Sequence, residues 1–366
     1  YGDHRDLHLS LRRQRQMCIR DRVITLDSTN AMTGAVSITH TGSANVAIDN
    51  GTTALNLGTV SVGQNFSATS GAGITDSGVI TVAGTATFVT DVNDIDIVLD
   101  SNNAITGAVT FTTQTGGSNG SDITFDNGST AMSLAAFTTE GNLTLTTTNA
   151  IALTGHTVNG NLSVTSAGAI TQSAALTVTG TSSFTSTGTN TNITLSNASN
   201  VFTGNVTLNT TGTSSGDVSI DNGTQALGIQ GTINGALTVV NGAAITDSST
   251  LTVSGASSFT IDTGSNHITL GTAALTGAIG VATSGTSNFT LDNTTTAVNL
   301  GTVGVTGALS VTSGAAITDS STITVGGTAT FVTDVNDVDI ILNNDNATVS
   351  YTHLRAHETE ADLVCR

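Results

Sequence analysis

The sequence predicts an all-β protein, a β-solenoid of about a dozen stacked coils, on three observations. The stretch ITDSSTLTVSGASSF at 245–259 has close copies at 74–88, 170–184 and 317–331, starting 96, 75 and 72 residues apart. Two other landmarks keep step with it: TGA or TGN at Thr33, Thr106, Thr203 and Thr276, and an Asp-Asn turn at Asp49, Asp126, Asp221 and Asp292. Features sharing a superperiod of about 73 residues define a repeat array. Thirdly, apolar residues come in pairs two apart, such as Leu237 and Val239, Leu251 and Val253, and Ile323 and Val325, which is the period of a strand.

Taken along the chain, 23–34 is a broken first module, 35–64 and 65–84 are complete, and 85–107 carries the most acidic phrase, TDVNDIDIVLDSNN. One interval is long in every series. Its surplus lies between Phe125 and Ile170, where 142–160 is followed by a similar module at 161–180. The C-terminal modules are 236–255, 256–277, 278–307 and 308–327, each ending in Gly. Clusters such as NGAA, TGSN and DNG supply the positive φ and side-chain-to-backbone bonds of corners, so each module reads as two or three short strands.

One module cannot fold alone. Its few aliphatic side chains supply roughly 10 to 15 kcal/mol on burial, against ~1 to 2 kcal/mol of backbone entropy for every residue fixed. Stacking lets each coil complete its hydrogen bonds above and below, so residues 23–348 are predicted to form one elongated body rising ~4.8 Å per coil.

Every basic residue lies near an end: Arg5, Arg12, Arg13, Arg15, Arg20, Arg22, Arg355 and Arg366. Residues 23–354 hold no Lys or Arg and 20 of the 26 acidic residues. That charge repels phosphate backbones and anionic lipid, which argues against nucleic-acid binding and membrane attachment. The end segments 1–22 and 349–366 hold both cysteines, Cys18 and Cys365, and differ from the body in composition. Their phrases RRQRQMCIRDR and VSYTHLRAHET resemble translated sequencing-adapter or vector sequence, so both are expected to be artefactual or disordered tails on an internal fragment. The alternative is a basic arm and an acidic cap helix. A Cys-free body is compatible with secretion.

Candidate chemistry is sparse. The phrase TDVNDIDI and its near copy TDVNDVDI align Asp91, Asn93, Asp94 and Asp96 with Asp334, Asn336, Asp337 and Asp339. Alternating carboxylates of this kind can coordinate Ca²⁺, but a solvated turn is the favoured reading, since the equivalent TSTGTNTNITL and TIDTGSNHITL lack the cluster. No other cofactor is expected. His40, His156 and His267 fall at unrelated repeat positions and read as surface polar residues. Ser and Thr are so abundant that a Ser-His-Asp set on paper carries no weight without geometry. A polysaccharide lyase needs a basic side chain the body lacks, and a two-carboxylate hydrolase survives only as a remote alternative, without Trp or Tyr to stack on sugar.

Among the aromatics, Phe88, Phe184, Phe259 and Phe331 share one repeat position and are expected as stacked rings inside the coil. Thr-x-Thr pairs at Thr85 and Thr87, Thr144 and Thr146, Thr177 and Thr179, and Thr328 and Thr330 suggest a second, minority function, binding to ice or mineral through a flat Thr face. Asn-x-Ser/Thr triplets such as Asn142, Asn161, Asn192 and Asn205 follow from composition.

The module length, the Thr, Ser, Asn and Gly richness and the GNLTL, GNLSV and GAIT phrases resemble the repeat region of bacterial surface proteins of the filamentous-haemagglutinin and autotransporter-passenger kind. The resemblance covers roughly 23–347. It implies a right-handed parallel β-helix, extracellular or at the bacterial cell surface, serving as a non-catalytic stalk or adhesin. Its expected partners are a host or neighbouring-cell surface, a glycan or matrix.

Overall fold

The computed structural model describes residues 22–27, 30–116, 120–212 and 216–348, together with the backbone of 352–357. The expected N-terminal tail, but for Arg22, lies outside the described residues, as do Cys18 and Cys365. Within the expected C-terminal tail, the backbone of Thr352–His357 is a strand beside Ala329–Asn336. The chain divides into two compact units, Tyr1–Gly160 and Asn161–Arg366. Each is a parallel β-solenoid, and no helix occurs among the described residues.

In the first unit, one sheet stacks Ile24–Leu26, Val46–Asp49, Phe66–Ser70, Ala86–Thr90 and Val109–Thr112. A second runs through Leu55–Val62, Ile74–Asp76, Ile97–Leu99, Ile123–Asp126 and Leu143–Thr147. In the second unit, Ile193–Leu195, Val218–Asp221, Leu237–Asn241, Ser257–Ile261 and Ala278–Ala282 stack on one side. Leu227–Ile233, Ile245–Val253, Ile268–Leu270, Phe289–Asp292 and Leu309–Ser313 stack on another. All these pairs are parallel, as stacked coils require and hairpins forbid.

Registered partners set the coil length. Leu227 lies over Ile245, 18 residues on, and Ile97 over Ile123, 26 residues on. These intervals are shorter than a dozen coils over 23–348 would need, so the expected count is too low. The cause is visible at 278–307: Ala278–Ala282 pairs with Val298–Val305 inside the same module, so the longer modules hold about one and a half coils rather than one. Register shifts at Val36/Ile38, Ile229/Gly231 and Ile279/Val281 take up the uneven lengths as bulges.

Alternation of inward and outward residues places the core. Strands such as Phe66–Ser70 and Leu143–Thr147 bury every second side chain. Phe88, Phe184, Phe259 and Phe331 are all buried, as expected. They do not stack on one another. Phe88 meets the rings of Phe66 at 6.0 Å and Phe111 at 5.7 Å, whereas Phe259 is registered between Val239 and Val281 and Phe331 beside Val311. Equivalent positions of the long repeat are several coils apart, too far for ring contact.

Candidate functional site: polar ladders between coils

Many of the repeated polar side chains bond an adjacent coil. Asn50, Asn127, Asn222 and Asn293, the second residues of the Asp-Asn turns, are fully buried. Their Oδ1 atoms accept the N–H of Met32, Ile105, Phe202 and Leu275 at 2.7 to 2.9 Å, and their Nδ2 atoms donate to the same residues' carbonyls at 3.0 Å. Each side-chain amide thus takes the place of a strand peptide. Nδ2 also donates within its own turn, to Ala54, Ala131, Ala226 and Ala297.

The Asp before each Asn shapes the turn. Asp49, Asp126, Asp221 and Asp292 accept the N–H two residues on, at 2.7 to 2.8 Å. Those donors, Gly51, Gly128, Gly223 and Thr294, have φ of 55°, 53°, 59° and 49°. Three of the four are glycine because that region is unfavourable for a side chain with a Cβ. One coil later the polar column continues: Ser70, Thr147, Asn241 and Ser313 donate to carbonyls of these turns, Thr53, Gly128, Gln225 and Thr296.

The Asp of the recurring ITD phrase caps another corner. Asp76 accepts Asp100 N–H and Ser101 N–H, Asp247 accepts Gly271 and Thr272, and Asp319 accepts Asn343 and Asn344. Asn103 and Asn346 donate to Asp76 and Asp319 at 2.7 Å and accept the N–H of Ile80 and Ile323 at 2.8 Å. In the second copy Gln172 stands at the Asp position and pairs with Asn200. For Asp319, partial burial works to raise the pKa, but hydrogen bonds from Asn346, Asn343 and Asn344 outweigh it and hold the carboxyl below its ordinary 3.8.

Two of the Ca²⁺ candidates, Asp94 and Asp96, belong to the same ladders. Asp94 accepts Gly120 N–H at 3.0 Å and Asp96 accepts Asp122 N–H at 2.9 Å, both one coil on. Asn192 and His267 occupy the position of Asp96 in other repeats and do the same for Asp217 and Asn288. Asp94 and Asp337 turn the chain at φ 57° and 59°. Asp91 is exposed, as are Asp334, Asn336, Asp337 and Asp339, while Asn93 sits in the exposed bend beside Asp94. Among the described residues, no three His, Cys, Asp or Glu side chains are grouped to hold a metal ion.

The histidines divide. His267 is exposed, but His156 is 1% exposed and His40 7%, so the surface reading fails for these two. Aligning TGHTVNG with its duplicate AALTVTG puts His156 at the place of Leu176, a core position. That alignment was the missed signal.

With this geometry in view, four segments, 43–112, 140–209, 215–282 and 286–353, match a family described as repeats of unknown function (DUF5649). The chain belongs to that family. In three DUF5649 repeats the Asp-Asn corner comes six residues after the start, at Asp49, Asp221 and Asp292; in the other, Thr146 and Thr147 fill the place. The Asp126–Asn127 corner lies between matched segments, so the surplus chain placed at 142–180 by its internal duplication falls at 113–139 by the family pattern. Neither a curated protein nor a solved structure matches the chain. No helix among the described residues is long and apolar enough to cross a membrane.

Proposed function

We propose that these DUF5649 repeats are a non-catalytic structural stalk of a secreted or cell-surface bacterial protein, in the manner of an adhesin repeat region. The observation that carries this reading is the destination of the repeated polar side chains. The Asn residues of the Asp-Asn turns and the Asp or Gln of the ITD phrase bond the backbone of an adjacent coil, while the Asp of each Asp-Asn pair shapes its own turn, so recurrence follows the needs of stacking. Partners in this reading are a neighbouring-cell or host surface, a glycan or a matrix, reached through the outward Ser, Thr and Asn faces. The test couples the full chain to beads and measures attachment to cells and glycan arrays, while antibodies against the chain are applied to intact cells that produce it. Surface labelling is expected. Labelling only after lysis, or cleavage of a polysaccharide by the chain, would replace the proposal.

One observation favours a second reading, binding to ice or mineral. Thr246, Thr269, Thr290, Ser310 and Thr330 are in register on successive coils of the second unit, an outward hydroxyl column with ~4.8 Å spacing. The Thr-x-Thr pairs are less regular: Thr177 is registered with Val201 and Thr146 with Asp126. Thermal hysteresis of the full chain measures this directly.

A further inference from the structure

His156 is a buried ionisable group that the ladders do not use. It lies between the strands Ile151–Thr154 and Thr157–Val158 of the first unit, with its ring centroid 4.6 Å from that of Phe137. Phe137 in turn meets Phe111 at 5.6 Å. Nε2 faces the N–H of Thr154 at 3.5 Å, and Nδ1 has no partner. The neutral ring therefore carries its proton on Nδ1, leaving Nε2 as an acceptor toward Thr154. A second proton would fall on Nε2, setting one donor against another inside an aromatic cluster.

We propose that His156 is an acid-sensitive latch: protonating its imidazole releases the 151–158 segment from the coil beneath it and exposes the half-buried Phe137 further. The segments 132–137 and 151–158 contain no other ionisable side chain. On the flanking elements, Glu140 is bonded to Asn159, Asp122 to Asn142 and Asp126 to Gly128, so each carboxylate has another partner. Burial alone pulls the His156 pKa down to about 4 from 6.5. The closed coil therefore excludes a proton that the open coil binds, and opening is favoured as pH falls from 6.5 toward 4. Opening should increase about tenfold per pH unit across that window. A stalk with such a latch would loosen one coil in acid while its ladders stayed paired.

Hydrogen exchange of the full chain, corrected for intrinsic rates and measured from pH 6.5 to 5, tests the latch. Protection of 151–158 is expected to fall about tenfold per pH unit, while 74–82 stays constant. The variant His156→Leu, which copies Leu176 of the duplicate module, should remove the pH dependence. The wild-type imidazole, followed by NMR, supplies an independent measurement and is expected to titrate well below 6. Constant protection, a fall retained in His156→Leu, or an imidazole titrating near 6.5 would each overturn the proposal.

Discussion

Asn222 and Phe202 exchange two hydrogen bonds across one coil, Phe202 N–H to Oδ1 at 2.7 Å and Nδ2 to the Phe202 carbonyl at 3.0 Å, with both residues fully buried. Asn222→Ala leaves both peptide groups without partners, along with the carbonyl of Ala226. Because a buried unsatisfied group costs about 1–3 kcal/mol, the substitution should destabilise the second unit by ~2 to 4 kcal/mol. Urea unfolding should show the lower midpoint. Asn222→Asp keeps an acceptor for Phe202 N–H but directs a carboxylate at carbonyls, so its loss at neutral pH should be at least as large.

The pH response of Asp319 has the same sense as that of His156, protection falling with pH, but lies in a lower range. Its folded carboxyl titrates below the ordinary 3.8, so the stability it contributes is present above that value and is lost as pH falls through the lower folded value. Exchange protection of 340–346 should therefore decline below about pH 4, in the range where a free carboxyl titrates. In Asp319→Asn, which can accept but cannot ionise, the decline should be absent and protection lower at neutral pH.

Much of this was legible in the sequence because strands and corners are local features. Period-two pairs located Leu237 and Val239 inside a strand, and the ITD phrase located a recurring corner. Coil length was less legible. Modules ending in Gly divide the chain at one corner, but 278–307 passes that corner's level and continues halfway round again, which only registered pairing reveals. The Asp-Asn turn was recognisable as a turn, yet burying Asn222 beneath Phe202 depends on a 20-residue offset between coils. A longer offset, 26 residues, sets Asp94 and Asp96 against the backbone N–H groups of Gly120 and Asp122.

Two glycines in the same TGA phrase should respond differently to one methyl group. A Cβ on Gly277 would run into the carbonyl of Gly255 on the preceding coil, whereas one on Gly34 would meet nothing within 4 Å. Gly277→Ala is expected to cost about 1–3 kcal/mol, the usual range for forcing volume into a packed contact. Gly34→Ala should be neutral or slightly stabilising, because it restricts the unfolded chain without a clash. Thermal melts of the two variants provide the comparison.

Removing one whole coil should be tolerated where removing half is not. Deleting 236–255 joins Gly235 to Ala256. It brings Val218–Asp221 against Ser257–Ile261, since both already pair with Leu237–Asn241 in register. On the other side Leu227 meets Ile268, and Gly231 meets Ala273, through the vacated partners Ile245 and Leu251. Every inward side chain then keeps its face, because the deletion equals one turn of the stack. The shortened chain is expected to retain its strand circular dichroism and to unfold cooperatively, with a urea m-value reduced only in proportion to its length. Deleting 236–245 should place apolar residues of the following strands at corners and abolish folding of the second unit. If the two deletions proved equally disruptive, coil-by-coil cohesion would be the wrong physical description of this fold.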